Sequence, residues 1–138
     1  MKEKPIKILS PVFKMPAGIV DDLNKMVCIY FEVDPLVVCS NIRRPVISKA
    51  RDFSIHFARQ YTDAKLRTLS EYFRISIASV AAAHNRVTLM VEMKNREYFS
   101  HYIALVIRIN ALVNSLYPVC FDMYRLHVVG VNYNRYFV

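Results

Sequence analysis

The side chains of this chain best suited to chemistry are cations, and the chemistry they suit is the holding of phosphate. Arg43 and Arg44 stand in the basic turn S-N-I-R-R-P (residues 40–45), and Lys49 and Arg51 follow in K-A-R-D (residues 49–52). Arg74 lies in F-R-I-S (residues 73–76), and Arg86 ends H-N-R (residues 84–86). A guanidinium presents a planar fork of donors that fits phosphate oxygens, and an ammonium adds a point charge. From residue 41 to 74 there are eight Lys and Arg against three Asp and Glu, so this stretch holds most of the formal net charge of +8. Ser76, Ile77, Ala78 and Ser79 come directly after Arg74-Ile75. Serine hydroxyls can donate and accept hydrogen bonds, whereas Ile77 and Ala78 can offer only apolar contact.

Other chemistries have weaker support. The histidines (His56, His84, His101 and His127) form no H-x-x-x-H pair and have no acidic cluster beside them, so a metal site is not expected. Cys28, Cys39 and Cys120 form no C-x-x-C pair, and the expectation is reduced, buried thiols. No G-x-S-x-G, Cys–His signature or paired-carboxylate pattern stands out, so the chain is expected to be no enzyme and to need no cofactor. A run of about 18 apolar residues is missing, so a membrane span is not expected. The N-terminus does not read as a signal peptide, which predicts a cytoplasmic, nucleoid-associated protein.

The elements that must position these side chains read as an all-α domain. At 138 residues with 54% hydrophobic side chains, the chain suits one core, and only two glycines argue against a many-turned β architecture. Pro5, Pro11 and Pro16 predict an extended arm over residues 1–18, with 6–9 either a short strand or part of a loosely attached leader. Residues 19–31 read as a helix with Ile19, Leu23, Met26, Val27 and Tyr30 inward, and Asp34-Pro35 caps a short turn after it. A long helix over 45–61 follows, with Val46, Ala50, Phe53, Phe57 and Ala58 inward. Thr62 or Asp63 is expected to cap a helix over 64–73, and Ser76 to cap one over 77–93. A last helix covers 94–117 and is stopped by Pro118. The tail, residues 118–138, is β-prone, with one or two strands over 126–138 that pair with residues 6–9. Two helices with a tight joint and a basic approach suggest a helix-turn-helix, whose second helix enters the DNA major groove.

Residues 19 to about 110 resemble the C-terminal DNA-binding domain of the bacterial replication initiator DnaA. The pieces that carry the likeness are D-P-L-V-V-C-S-N-I-R-R (34–44), K-A-R-D-F-S-I-H-F-A-R-Q-Y-T (49–62), L-R-T-L-S-E-Y-F (66–73) and S-V-A-A-A (79–83). The resemblance implies a Trp-repressor-like helix-turn-helix bundle, with Arg43 entering the minor groove and Arg51 contacting backbone or base edge. Asp52 stands where the family has Gln. The family's base-reading R-D-H-T-T is here I-S-I-A-S (75–79), one residue shorter at the joint, so the family's origin box is not the expected target. No G-x-x-x-x-G-K-[ST] occurs, and ATP-driven initiation is not expected of this chain.

Together these features predict a double-stranded DNA-binding protein of replication or transcription control. Lys49, Arg51 and Arg74 would anchor phosphates, Arg43 and Arg44 would reach phosphate and minor groove, Ser76, Ile77, Ala78 and Ser79 would touch the major groove, and Arg86 would reach back to a phosphate. The alternative is a helix-turn-helix scaffold that has lost base reading and binds protein through its apolar 77–83 face. The aromatic tail (Tyr117, Phe121, Tyr124, Tyr133, Tyr136 and Phe137) suggests a homodimer edge.

Overall fold

The computed structural model describes residues 6–131. Among them the chain forms α1 (Val20–Phe31), α2 (Pro35–Val38), α3 (Pro45–Tyr61), α4 (Leu66–Phe73), α5 (Ile77–Glu92), α6 (Arg96–Leu116) and α7 (Phe121–Tyr124). One two-stranded sheet pairs β1 (Lys7–Leu9) with β2 (His127–Val129), and a single 3-10 turn (Ala17–Ile19) leads into α1. The molecule is thus a helical bundle, as its periodicity predicts, and the bounds of α3 are those read from the sequence.

α3 is the axis of the bundle. It packs most extensively on α5 and α1, and from Ala50 to Ala58 every residue on it is buried. A helix covered on all sides is normally apolar throughout. This one instead buries Arg51, Asp52, Ser54, His56 and Gln60 among Phe53, Ile55 and Phe57. Val46, expected inward, is 46% exposed, and Ile47 takes the inward place. Phe53 stacks on Tyr98 of α6 and Phe57 on Tyr102, with centroids 5.6 and 5.1 Å apart.

The caps explain where the helices start. Asp34 accepts from the Leu36 amide at 2.9 Å, and Pro35 occupies the first helical position, where a missing N–H costs nothing. Ser76 accepts from the Ser79 amide at 3.1 Å, and Asn95 from the Tyr98 amide at 3.2 Å. At α4 the expectation fails. The helix starts at Leu66 with Lys65 as its cap and no side-chain bond there, while Thr62 Oγ1 accepts from the Ala64 amide at 3.2 Å, ahead of the helix.

The N-terminal arm is extended, as its prolines require, and it is bonded to the body. Met15 N donates to Tyr61 O at 2.6 Å, Asp63 N donates to Met15 O at 3.0 Å, and Met15 is completely buried. β1 lies antiparallel to β2, with Ile8 opposite Val128. The sheet therefore joins the arm to the tail over α6 and α5. α7 was not foreseen in the tail. The expectations for Tyr133, Tyr136 and Phe137 lie outside the described residues. α6 is long and apolar enough to cross a membrane by length and composition. Here Tyr102, Ile103, Leu105, Val106, Ile109 and Val113 form its buried face in the common core.

Candidate nucleic-acid interface

The candidate site is built where three elements meet: the loop over 39–44, the first half of α3 and the first half of α5. Between them lies an open cleft of about 250 Å³ lined by Asn41, Arg43, Ser48, Arg51, Asp52 and Ser79, with Ala82 and Arg86 further along α5. Arg43, Ser79 and Arg86 come together here from positions far apart in the sequence.

Arg51 holds the loop in place. Its Nε donates to Val38 O and its second guanidinium nitrogen to Ile42 O, both at 2.8 Å. With 7% of its surface exposed and two of its nitrogens on backbone carbonyls, Arg51 lines the cleft but is chiefly placed to position the loop. Two carbonyls at the ends of the loop gain a charged donor, an interaction worth about 1.5–3 kcal/mol each at typical strength. Burial pushes the Arg51 pKa down, and the neighbouring Asp52 charge opposes that shift.

Lys49 also departs from expectation. Its ammonium makes a short ion pair with Glu97 and lies over the Tyr98 ring, 5.7 Å from the centroid. It faces the start of α6 and does not line the cleft. Arg43, Arg44 and Arg74 are exposed, and none of them is held in an ion pair among the described residues. Arg44 precedes the first residue of α3 in extended backbone. Arg74 ends α4 with φ 58° and borders a second depression beside Asp34, Cys39 and Tyr72.

On α5, Ser76, Ile77, Ala78 and Ser79 are all exposed. Ser76 donates its hydroxyl to Ser79 Oγ at 2.8 Å while accepting from the Ser79 amide, so its own hydrogen-bonding capacity goes largely into the cap. The Ser79 hydroxyl keeps its hydrogen for another acceptor. Ile77, Ala78, Ala82, Asn85 and Leu89 continue the outer face, with Leu89 58% exposed.

Asp52 and Arg86 were not linked by the sequence reading. The Asp52 carboxylate accepts from an Arg86 guanidinium nitrogen at 2.5 Å across α3 and α5. Burial raises the Asp52 pKa, and Arg86 and then Arg51 pull it back down. The two residues are 34 positions apart, so no local pattern marks the pair.

Behind the cleft, α3 and α5 share a second polar contact. His56 is completely buried and stacks on His84, with centroids 4.8 Å apart. Its Nε2 lies 3.1 Å from the Tyr102 hydroxyl and its Nδ1 3.3 Å from Thr88 Oγ1. Thr88 donates to His84 O, so Thr88 Oγ1 is left to accept from His56 Nδ1–H, and His56 Nε2 accepts from Tyr102. His84 Nδ1 is buried without a hydrogen-bond partner among the described residues.

Among the described residues no group of three His, Cys, Asp or Glu is arranged to hold a metal. Cys28 is buried and burial pushes its thiol up to about 12, but Cys120 is exposed, against the expectation for all three thiols. Tyr117 and Tyr124 of the aromatic tail stack on each other at 4.8 Å.

No protein-family model matches this sequence, and no curated protein matches it.

Proposed function

We propose that this protein binds double-stranded DNA with a DnaA-like helix-turn-helix, α4–α5, and that it serves in replication or transcription control. The observation that carries the reading is the pairing, across one cleft, of an exposed basic loop with the exposed first turns of a capped helix. Arg43 lies on one side, with the exposed Arg44 next to it in the chain, and Ser79 with Arg86 on the other. An α-helix fits the width of the major groove, and arginine side chains from a neighbouring loop reach phosphate or minor groove. The helix order also supports the reading: an amphipathic helix, a D-P-L turn, a basic loop, a long helix and two jointed helices follow the order of the resemblance. Ile77 and Ala78 carry no hydrogen-bonding group, so discrimination between bases is shallow and phosphate contact dominates.

The test is fluorescence anisotropy of a labelled random duplex at two salt concentrations. Arg43, Arg44 and Arg74 are exposed for phosphate, and Arg86 can join them on leaving Asp52. If two to four of them meet it, the log–log salt slope is roughly −2 to −4. Arg43→Ala/Arg44→Ala flattens the slope by about two in the same experiment. Retention that ignores salt, or no binding at low salt, overturns the reading.

A second reading has its own support. The outer face of α5 is mostly apolar, with Ile77 45% exposed and Leu89 58% exposed. A protein partner on that face would bind without strong salt dependence, which the same titration separates from DNA. A homodimer through the tail is a further proposal, read out by the mass of the free protein in solution.

A further inference from the structure

One carboxylate, Asp52, lies in a cleft that three arginines also line. Asp52 is the only acidic side chain among the described residues that line it. The Asp52 side chain is 12% exposed, while that of Arg86 is 50% exposed. A half-exposed guanidinium therefore lies over a nearly buried carboxylate and keeps donors open to solvent. Around this pair the walls supply what a tetrahedral oxyanion needs: the Arg43 guanidinium, the Asn41 amide, and the Ser48 and Ser79 hydroxyls. The Ser79 hydroxyl has its hydrogen free to donate, because Ser76 already donates to its oxygen. At about 250 Å³ the cleft is far larger than the roughly 30 Å³ share of one water molecule, which leaves ample room for a phosphate group.

We propose that this cleft is a phosphate seat whose resident counter-ion is Asp52, and that a phosphodiester of duplex DNA replaces the Asp52 carboxylate on Arg86. Only the source of the phosphate rests on the DNA-binding reading. In the free protein the pair holds α3 and α5 together and offsets the charge of Arg86. When a phosphate enters, Arg86 swings outward and closes on it with Arg43. Asp52 thus sets how strongly the protein holds DNA, by competing for its best-placed cation. Burial of the carboxyl sharpens the competition, since losing Arg86 leaves a desolvated carboxylate with only the Arg51 charge to offset it.

Two measurements test this on the full chain. The first is the NMR shift of the arginine Nε–Hε signals during titration with inorganic phosphate, in wild type and in Asp52→Asn. The expected result is saturable movement of the Arg43 and Arg86 signals, at lower phosphate in the variant. Signals that do not move overturn the seat, whatever the protein does with DNA. The second is anisotropy with the random duplex. Asp52→Asn tightens binding about three- to tenfold and steepens the salt slope by about one, since one more cation is freed. Arg86→Gln weakens binding by a similar factor, measured in a variant whose fold is checked by urea unfolding because Asp52 loses its partner. If wild type binds duplex but Asp52→Asn binds equally or more weakly, the competition is wrong and the pair is only a helix cross-link. If phosphate moves both arginines but duplex does not bind, the seat stands and the DNA reading falls.

Discussion

At the scale of single residues, the polar side chains buried on α3 are where stability and function meet. Arg51, Asp52 and His56 each belong to a different network, and each network ties α3 to a different element: the loop, the front of α5 and the back of α5 with α6. The histidines make a pH prediction. Burial first, then the His84 and Lys14 charges, lowers the His56 pKa from 6.5 to about 3. Burial first, then Arg59 and Lys14, lowers that of His84 to about 4. In the unfolded chain both titrate near the ordinary value, so the unfolded state binds more protons below it. The stability that depends on their neutrality is therefore fully present above pH 6.5 and is lost as pH falls towards 3 for His56 and 4 for His84. Urea unfolding between pH 7 and pH 5 is expected to show stability falling by up to ~1.4 kcal/mol per pH unit for His56 alone. His56→Phe removes that group's share of the slope. A flat profile in wild type would mean that the imidazole is charged or exposed in the fold.

At the scale of elements, the helix ends show how a chain with two glycines stops its helices. α1 ends at Glu32 and α4 at Arg74, and Lys94 follows α5, all with φ near 57°. That left-handed conformation is usually filled by glycine, because a Cβ there crowds the backbone. At Arg74 the cap is well made: its amide bonds to Ser70 O, and the Ile75 amide bonds to the same carbonyl at 3.2 Å. The backbone is thus held in a shape that arginine adopts at a cost. Arg74→Gly is expected to stabilise the fold by about 0.5–1 kcal/mol in a thermal melt. The same change weakens duplex binding about threefold if Arg74 meets a phosphate. A variant that gains stability and keeps its affinity assigns Arg74 to the turn alone.

At the scale of the molecule, the bundle is closed by its two ends. The arm crosses the end of α3, and β1 then meets β2 from the tail, so Ile6, Met15, Leu126 and Val128 join the core that holds α1 to α6. Met15 is the key contact, with no exposed surface and two backbone bonds to the α3 terminus. Met15→Ala is expected to cost about 2–5 kcal/mol in urea unfolding, as for other buried large-to-small changes. A loss under about 1 kcal/mol would show that the arm is an independent leader.

Helices α1 to α6, the Ser76 cap, the Asp34-Pro35 turn and the pairing of residues 6–9 with the tail were legible in the sequence. Their causes are local: apolar spacing, a side chain that bonds an amide two or three residues on, and proline geometry. The exposed arginines at 43, 44 and 74 were legible for a similar reason, since a cation without a nearby apolar partner stays in water. What only tertiary structure decided was which cations remain free. Lys49 meets Glu97, Arg51 closes on the carbonyls of Val38 and Ile42, and Arg86 crosses to Asp52. Each of these partners is brought close by the packing of α3 against the loop, α5 and α6, and long polar side chains take whichever charge or carbonyl that packing leaves within reach. Periodicity says which face of a helix is covered, but it does not say what covers it. Hence the amino-acid order alone determined an all-α chain with a basic loop beside two jointed helices, and the three-dimensional packing determined that its cleft contains one acid.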